Sequence, residues 1–104
     1  MSEQISKPIV KSKIKIKKPT QYKVIFFNDD FTPFFFVQQI LMVIFNKTEE
    51  ESDFLAKKIH NEGAEVVGVY PLEIAETKQA QTLYNAKKNG YPLKCELEEC
   101  EEEE

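Results

Sequence analysis

The stretch F-F-N-D-D-F-T-P, residues 26–33, joins the end of a predicted strand to the start of a predicted helix. Before it, residues 22–27 are rich in aromatic and β-branched side chains, which is typical of a buried strand. After it, Thr32 offers a capping oxygen and Pro33 suits a first helical turn, so a helix is expected over residues 34–45. That helix is apolar on nearly every side, and most of it should be covered. Polar groups at such a junction can stand beside a hydrophobic cavity, which suits a ligand that is charged at one end and apolar at the other.

The next segment carries the signals of a second, amphipathic helix. Thr48 and Glu51 have the T-x-x-E spacing of a capping box. Asp53 and Lys57 are four residues apart and form a favourable ion pair on the outer face. Gly63 is expected to end the helix in the usual C-terminal fashion.

The remaining signals complete a β-α-α-β-α-β order. Residues 64–70 predict a second strand, in which Gly68 marks a bulge or a close approach. A third helix is expected from Pro71 to about Asn89, and a half-buried strand over residues 93–98, where apolar and charged side chains alternate. This order predicts a two-layer α+β domain in which a three-stranded antiparallel sheet packs against three helices.

Composition divides the 104 residues into three parts. We expect a flexible arm over residues 1–21, one folded domain over residues 22–98 and an acidic tail over residues 99–104. Six of the fourteen Lys residues precede Pro19 and belong to the arm. Ile14 and Ile16 alternate with Lys there, so a strand is possible, but disorder is the expectation because no pairing partner is evident.

Charge and cysteine content exclude several classes of protein. The chain has no Arg, and its only basic cluster is the arm, so nucleic acid is not expected as a partner. Cys95 and Cys100 are too few for a disulfide framework and lack zinc-ligand spacing, which is typical of a reduced cytoplasmic protein. The first 20 residues lack the apolar stretch of a secretory signal. The longest apolar run, residues 31–45, is interrupted and shorter than the ~20 residues that span a membrane, so no membrane association is expected.

Catalytic motifs are missing from the sequence. It has no P-loop, no HExxH, no GxSxG and no dinucleotide fingerprint. Asp29, Asp30 and His60 are the candidates for acid–base chemistry or for a metal site, but they have no recognised metal-ligand spacing. We therefore expect neither an enzyme nor a bound cofactor or metal, with a metal-dependent hydrolase as a distant alternative.

A binding role fits the same region better. Asn28, Asp29 and His60, the only histidine, can all accept hydrogen bonds, and a primary ammonium has three donors and no acceptor. The competing interpretation is plain turn chemistry before a helix, together with a structural histidine. The residues alone leave both interpretations open.

Four segments closely resemble the ClpS family: YKVIFFNDDFTP (22–33), IHNEG (59–63), GVYPLEIAETK (68–78) and YPLKCELE (91–98). The resemblance implies an adaptor of the bacterial N-end rule pathway that has no catalytic activity. Such a protein binds substrates by an N-terminal Leu, Phe, Tyr or Trp and delivers them to the AAA+ unfoldase ClpA or ClpC, which feeds the ClpP protease. It also implies a monomer that works in the cytoplasm and uses its N-terminal extension for delivery.

The resemblance assigns roles residue by residue. Asn28, Asp29 and His60 match the positions that hold the α-amino group, and Asp30 matches the pocket mouth, where it contacts the substrate backbone. The side-chain pocket corresponds to Phe26, Thr32, Phe34, Val37, Ala56, Ile59 and Leu93. The surface that docks on the unfoldase corresponds to Glu73, Glu76, Thr77 and Lys78.

Three positions depart from the family pattern. Phe34 and Ala56 stand where Met is frequent, which leaves the preference among the four N-terminal residues open. Phe35 replaces a Glu that commonly completes a capping box, so we expect a weaker cap on the first helix and an exposed Phe35. The alternative function is a ribosomal-stalk-like or scaffold module without an α-amino pocket, because that small α+β architecture is shared.

Overall fold

A computed structural model describes residues 19–101. Its elements are β1 (Gln21–Phe27), α1 (Phe34–Val43), α2 (Glu49–Glu62), β2 (Ala64–Pro71), α3 (Leu72–Lys88) and β3 (Lys94–Glu99). The predicted order and the two-layer α+β class are confirmed. Most of the predicted arm, with its possible strand at Ile14 and Ile16, and half of the acidic tail lie outside the described residues, so the division into three parts stays a prediction.

The sheet has β1 at its centre, in the order β2-β1-β3, and both pairings are antiparallel. The β1–β2 register shifts between Val24 and Ile25, because Val24 pairs with Gly68 while Ile25 pairs with Val66. A Cβ atom at Gly68 would lie 2.5 Å from the Tyr70 hydroxyl oxygen, closer than non-bonded atoms approach. The predicted bulge and close approach at Gly68 are therefore both present.

The first helix differs from its prediction at both ends. Pro33 occupies the N-cap position without a side-chain hydrogen bond. Thr32 therefore lies one residue before the N-cap, and the predicted Thr32 cap is wrong. The Thr32 hydroxyl donates to Oδ2 of Asp29 at 2.8 Å. The helix ends at Val43, and Asn46 adopts a left-handed conformation with φ of 56°, which Asn tolerates better than most residues.

Coverage of α1 is also less than predicted. Its buried residues are Phe36, Val37, Ile40 and Leu41. Phe35 is 61% exposed and Val43 is 68% exposed, so the expected exposure of Phe35 is confirmed and the expected coverage of the whole helix is wrong. The rest of the domain covers only one side of this helix, and its apolar sequence continues onto the exposed side.

The second helix follows its prediction closely. Thr48 Oγ1 accepts from the Glu51 backbone N–H, and Oε1 of Glu51 accepts from the Thr48 N–H, each at 3.0 Å. The backbone N–H of Thr48 lowers the pKa of Glu51 below its ordinary value. Lys57 pairs with Asp53 at 2.8 Å, and Gly63 ends the helix in the left-handed conformation with φ of 93°.

The core lies between the helices and one face of the sheet. Val24, Phe26, Leu41 and Val67 are among its most completely buried side chains. β3 shows the predicted alternation, since Cys95 is buried while its neighbours Lys94 and Glu96 are exposed. Burial and the adjacent Glu96 raise the pKa of the Cys95 thiol to about 12, so this thiol is unreactive at neutral pH.

Candidate functional site

A hollow of about 250 Å³ opens where the β1–α1 junction meets the end of α2. Its lining comprises Asn28, Asp29, Asp30, Thr32, Phe34, Val37, Ala56, Ile59 and His60. The junction supplies the polar side chains, α1 supplies two apolar ones, and the last two turns of α2 supply the rest. The fold therefore brings the three predicted α-amino ligands together beside an apolar wall.

Asp29 holds the junction in shape. Its Oδ1 accepts from the backbone N–H groups of Phe31 and Thr32 at 2.8 and 2.7 Å, and its Oδ2 accepts from the Thr32 hydroxyl. Burial by itself would raise the pKa of Asp29, but the hydrogen bonds from the Thr32 side chain and from the two backbone groups lower it overall. The carboxylate is thus ionised at neutral pH. Because Oδ2 accepts only this one bond within the described residues, it keeps acceptor capacity toward the hollow.

Asn28 and His60 are brought together by the backbone. The Asn28 N–H donates to the Gly63 carbonyl at 2.9 Å, which fixes the end of β1 beside the last turn of α2. His60 lies three residues before Gly63 in that turn, and the side chains of both Asn28 and His60 are exposed. Across residues 19–101, neither side chain hydrogen-bonds another protein group, so both are available to a ligand.

The apolar wall has a deep part and an outer part. Val37, Ala56 and Ile59 are buried, whereas Phe34 is 41% exposed and stands at the mouth. The predicted wall residues Phe26 and Leu93 do not line the hollow; they are buried in the core cluster that also contains Val37, Ala56 and Ile59. They support the wall from behind.

The predicted unfoldase-docking residues lie in the first half of α3. Glu73, Glu76 and Thr77 are exposed, and the Thr77 hydroxyl donates to the Glu73 carbonyl at 3.0 Å. Lys78, unlike these three residues, is only partly exposed, and its Nζ donates to the Ile44 carbonyl at 2.7 Å. The same ammonium lies 5.7 and 5.3 Å from the ring centroids of Phe45 and Tyr70. It therefore connects α3 to the end of α1, a contact across 34 positions that no local sequence signal indicates.

Between residues 19 and 101, no group of three or more His, Cys, Asp or Glu side chains is arranged to hold a metal ion. None of the helices in this range is both long and apolar enough to cross a membrane.

Comparisons with known proteins agree with this arrangement. The family model described as "ATP-dependent Clp protease adaptor protein ClpS" matches residues 17–96. The chain is 45% identical to the ATP-dependent Clp protease adapter protein ClpS of Wolinella succinogenes, over 88% of this chain and 89% of that protein. It is 48% identical to the ClpS of Leptospira biflexa, over 89% and 82% of the two chains.

A solved structure shares the fold as well as the sequence. It is Agrobacterium tumefaciens ClpS2 bound to L-phenylalaninamide, with a TM-score of 0.77 and 35% identity, covering 80% of this chain and all of that one. These similarities favour the adaptor interpretation over the ribosomal-stalk-like one. The chain belongs to the ClpS family, the adaptor proteins of the ATP-dependent Clp protease.

Proposed function

We propose that this adaptor binds the first residue of a substrate polypeptide when that residue is Leu, Phe, Tyr or Trp with a free α-amino group. It then delivers the substrate to the ClpA or ClpC unfoldase for degradation by ClpP, acting as a cytoplasmic monomer with no catalytic residue of its own. The observation that carries the proposal is the hollow in which Asn28, Asp29 and His60 stand beside an apolar wall.

The polar side of the hollow suits an ammonium group. An N-terminal ammonium has three N–H donors, and Asn28, Asp29 and His60 offer an amide oxygen, a carboxylate and an imidazole nitrogen as acceptors. Asp29 is the strongest of the three because it is ionised and held rigidly by its hydrogen bonds to Thr32. Each hydrogen bond to a charged group contributes about 1.5–3 kcal/mol.

The apolar side of the hollow suits one large side chain. Its volume of about 250 Å³ lies below the roughly 300–1,000 Å³ typical of pockets for drug-sized ligands, so it accommodates a single residue. Burying such a side chain contributes about 1.5–3 kcal/mol. L-phenylalaninamide, the ligand of the related Agrobacterium ClpS2, carries an ammonium and a benzyl group on one carbon atom. This ligand supports the proposal that the polar side binds the ammonium and the apolar side binds the side chain. After the entropy of association is subtracted, we expect a Kd of micromolar order.

A peptide-binding experiment tests the pocket. Fluorescence anisotropy would compare labelled peptides that differ only in the first residue: Phe, Leu, Tyr, Trp, Ile or Met, with N-acetylated Phe as the charge-free reference. We expect the four named residues to bind and acetylation to abolish binding at micromolar protein. Equal affinity for the acetylated and the free Phe peptide would contradict the ammonium site.

A pair of variants on α2 tests His60 itself. His60→Ala should weaken binding of the Phe peptide at least tenfold while the thermal unfolding curve stays near wild type, because the ring is exposed. Asn61→Ala is the matched control: Asn61 is an exposed neighbour that does not line the hollow, so its replacement should leave affinity unchanged. A His60→Ala chain that fails to fold would instead support a structural histidine.

Delivery requires a second surface, which we place on α3. Glu73, Glu76 and Thr77 offer exposed groups to the unfoldase, while Lys78 fixes the shape of this surface through its contact with Ile44. Exchanging Glu73 and Glu76 for Lys should weaken binding to the ClpA or ClpC N-terminal domain without changing affinity for the Phe peptide. The control exchanges Glu98 and Glu99, which are exposed on β3, and should leave both affinities intact.

A further inference from the structure

The outer side of α3 carries one straight row of exposed residues: Glu73, Thr77, Ala80, Tyr84 and Lys88. Successive members are three or four positions apart, which places them on one side of a helix. The buried residues Ala75, Thr82 and Ala86 lie on the opposite side, against the rest of the domain. The row therefore faces solvent along almost the whole of α3. We call these five exposed residues the outer row.

Tyr84 projects from the outer row with 66% of its surface exposed. The Lys88 ammonium lies 5.9 Å from the centre of its ring. The side chains of Asn85 and Asn89 donate to carbonyls of α3, whereas the Tyr84 hydroxyl has no hydrogen-bond partner among residues 19–101. Ala80, one turn earlier, is too small to cover the ring. An exposed tyrosine with a free hydroxyl is the type of side chain that anchors protein–protein interfaces.

Four exposed charges accompany the outer row, and none forms a salt bridge with another residue between positions 19 and 101: Glu73, Glu76, Lys87 and Lys88. On α2, by contrast, Lys57 and Lys58 are each paired with a carboxylate of this chain. An acidic first turn and a basic last turn also suit the helix dipole. The dipole accounts for the order of these charges along α3, but it does not account for the exposed Tyr84 between them.

We propose that the surface that docks on the ClpA or ClpC N-terminal domain extends along the whole outer row to Tyr84 and Lys88. This inference rests on the proposed function, which already places Glu73 and Thr77 in that surface. The matching partner surface has a basic group opposite Glu73, an apolar depression for the Tyr84 ring and an acidic group opposite Lys88. The row is about 22 Å long at a rise of about 1.5 Å per residue, a length that fits an interface of about 800 Å² per partner.

The unfoldase is favoured over a second copy of this chain as the partner because the outer row shares its N-terminal end with the proposed docking surface. Tyr84 is the only large apolar side chain in the row, whereas stable dimers of identical chains bury a more extensive apolar area. The row also lies apart from the hollow, which is lined by the β1–α1 junction, α1 and α2. A substrate and the unfoldase can therefore be bound at the same time.

Binding of the isolated ClpA or ClpC N-terminal domain to the full chain tests this extension. Tyr84→Ala should weaken that binding about fivefold or more, and so should Ala80→Gln, which adds bulk to the row at little cost in helix propensity. Lys87→Glu with Lys88→Glu should also weaken it, with a larger effect at low salt. Phe54→Ala is the matched control, because Phe54 is 62% exposed and lies beside a lysine but belongs to α2. It should leave the affinity unchanged.

Three outcomes would overturn the proposal. Wild-type affinity in both the Tyr84→Ala and the Ala80→Gln chain, with loss of binding in the Glu73→Lys/Glu76→Lys chain, would reject the extension and leave the smaller docking surface in place. If the wild-type chain binds neither N-terminal domain while it still binds the Phe peptide, delivery and the extension both fail. A dimer in sedimentation equilibrium of the chain alone, dissociated by Tyr84→Ala, would identify a second copy as the occupant of the row.

Discussion

The two helices that flank the hollow are stabilised in different ways. α2 carries a complete capping box, three acidic residues in its first turn, an ion pair on its outer face and a left-handed glycine at its end. α1 has no side-chain cap, no acidic residue in its first turn and no basic residue in its last. One helix is specified by local signals, whereas the other has almost none.

External contacts take the place of local signals in α1. The segment before it is shaped by Asp29, whose side chain accepts three hydrogen bonds. Its C-terminal end is held by Lys78, which donates to the Ile44 carbonyl. Its buried side packs Leu41 and three neighbours into the core. The stability of α1 therefore depends on the rest of the domain, whereas α2 is also stabilised by signals in its own sequence.

The largest effect should come from the buried side of α1. Leu41 is fully buried, and Leu41→Ala should lower the free energy of unfolding by about 2–5 kcal/mol because it removes packed atoms and leaves a cavity. Urea denaturation measures this change. Val43→Ala on the exposed side of the same helix should change stability by less than about 0.5 kcal/mol. Similar losses for the two variants would show that tertiary packing does not hold the helix.

The next largest effect concerns Asp29. Asp29→Ala leaves the N–H groups of Phe31 and Thr32 without their acceptor and should cost about 1–3 kcal/mol of stability. Asp29→Asn keeps an acceptor oxygen but removes the charge, so at neutral pH it should lose only part of that stability. If the proposed ammonium site is right, both variants lose affinity for the Phe peptide, and the Ala variant loses more stability than the Asn variant. A stable Asp29→Ala chain would contradict the role of Asp29 in shaping the junction.

The Asp29 carboxylate should also make the stability of the fold depend on pH in the acid range. Hydrogen bonds make the pKa of Asp29 lower in the folded chain than its ordinary value of 3.8. Its contribution to stability is therefore complete above that value and is lost as the pH falls through the lower, folded pKa. We expect the stability difference between wild type and Asp29→Asn to shrink as the pH falls below the ordinary pKa and through the lower, folded one, as measured by urea unfolding. A difference that does not change with pH would contradict this assignment.

The sequence predicts those parts of the fold that local signals specify. Three such features depend on only a few adjacent residues and are present in the structure: the capping box at Thr48, the left-handed Gly63 and the crowded Gly68. The Thr32 cap failed because Pro33 holds the N-cap position, so the Thr32 hydroxyl lies one residue before the helix end that it was expected to cap. Residue type alone does not decide which of two adjacent residues becomes the N-cap.

The site was predictable through its motif, and less so through its geometry. All nine residues that line the hollow were among the predicted site residues. Phe26 and Leu93 are buried in the core and do not line the hollow, because their positions follow from how the helices pack on the sheet, which no short segment encodes. The contact between Lys78 and Ile44 is likewise a product of the tertiary fold. The exposed side of α1 was misjudged because apolar composition alone does not indicate how much partner surface exists.

A smaller effect is expected at the start of α2. Thr48→Ala removes the acceptor for the Glu51 N–H and should cost about 1 kcal/mol, within a usual range of about 0.5–2 kcal/mol. Thr48→Ser is the matched control because it retains the hydroxyl, and it should remain near wild type. Urea denaturation compares the two variants. An Ala variant as stable as the Ser variant would mean that α2, too, is held by packing and not by its own cap.

The smallest change in stability, and the only increase, is expected from replacing Phe35. This side chain is 61% exposed in the first turn of α1, where the partial positive charge of the helix end is not countered by any acidic residue. Phe35→Glu should therefore raise the free energy of unfolding by about 0.3–1 kcal/mol at low salt, with a smaller gain in 0.5 M salt because screening weakens the charge effect. Phe35→Gln separates the charge from the loss of the ring and should gain less. If both the Glu and the Gln variant are less stable than wild type, then the contacts that Phe35 makes along the α1–α3 groove outweigh the missing charge, and α1 depends on packing even in this exposed first turn.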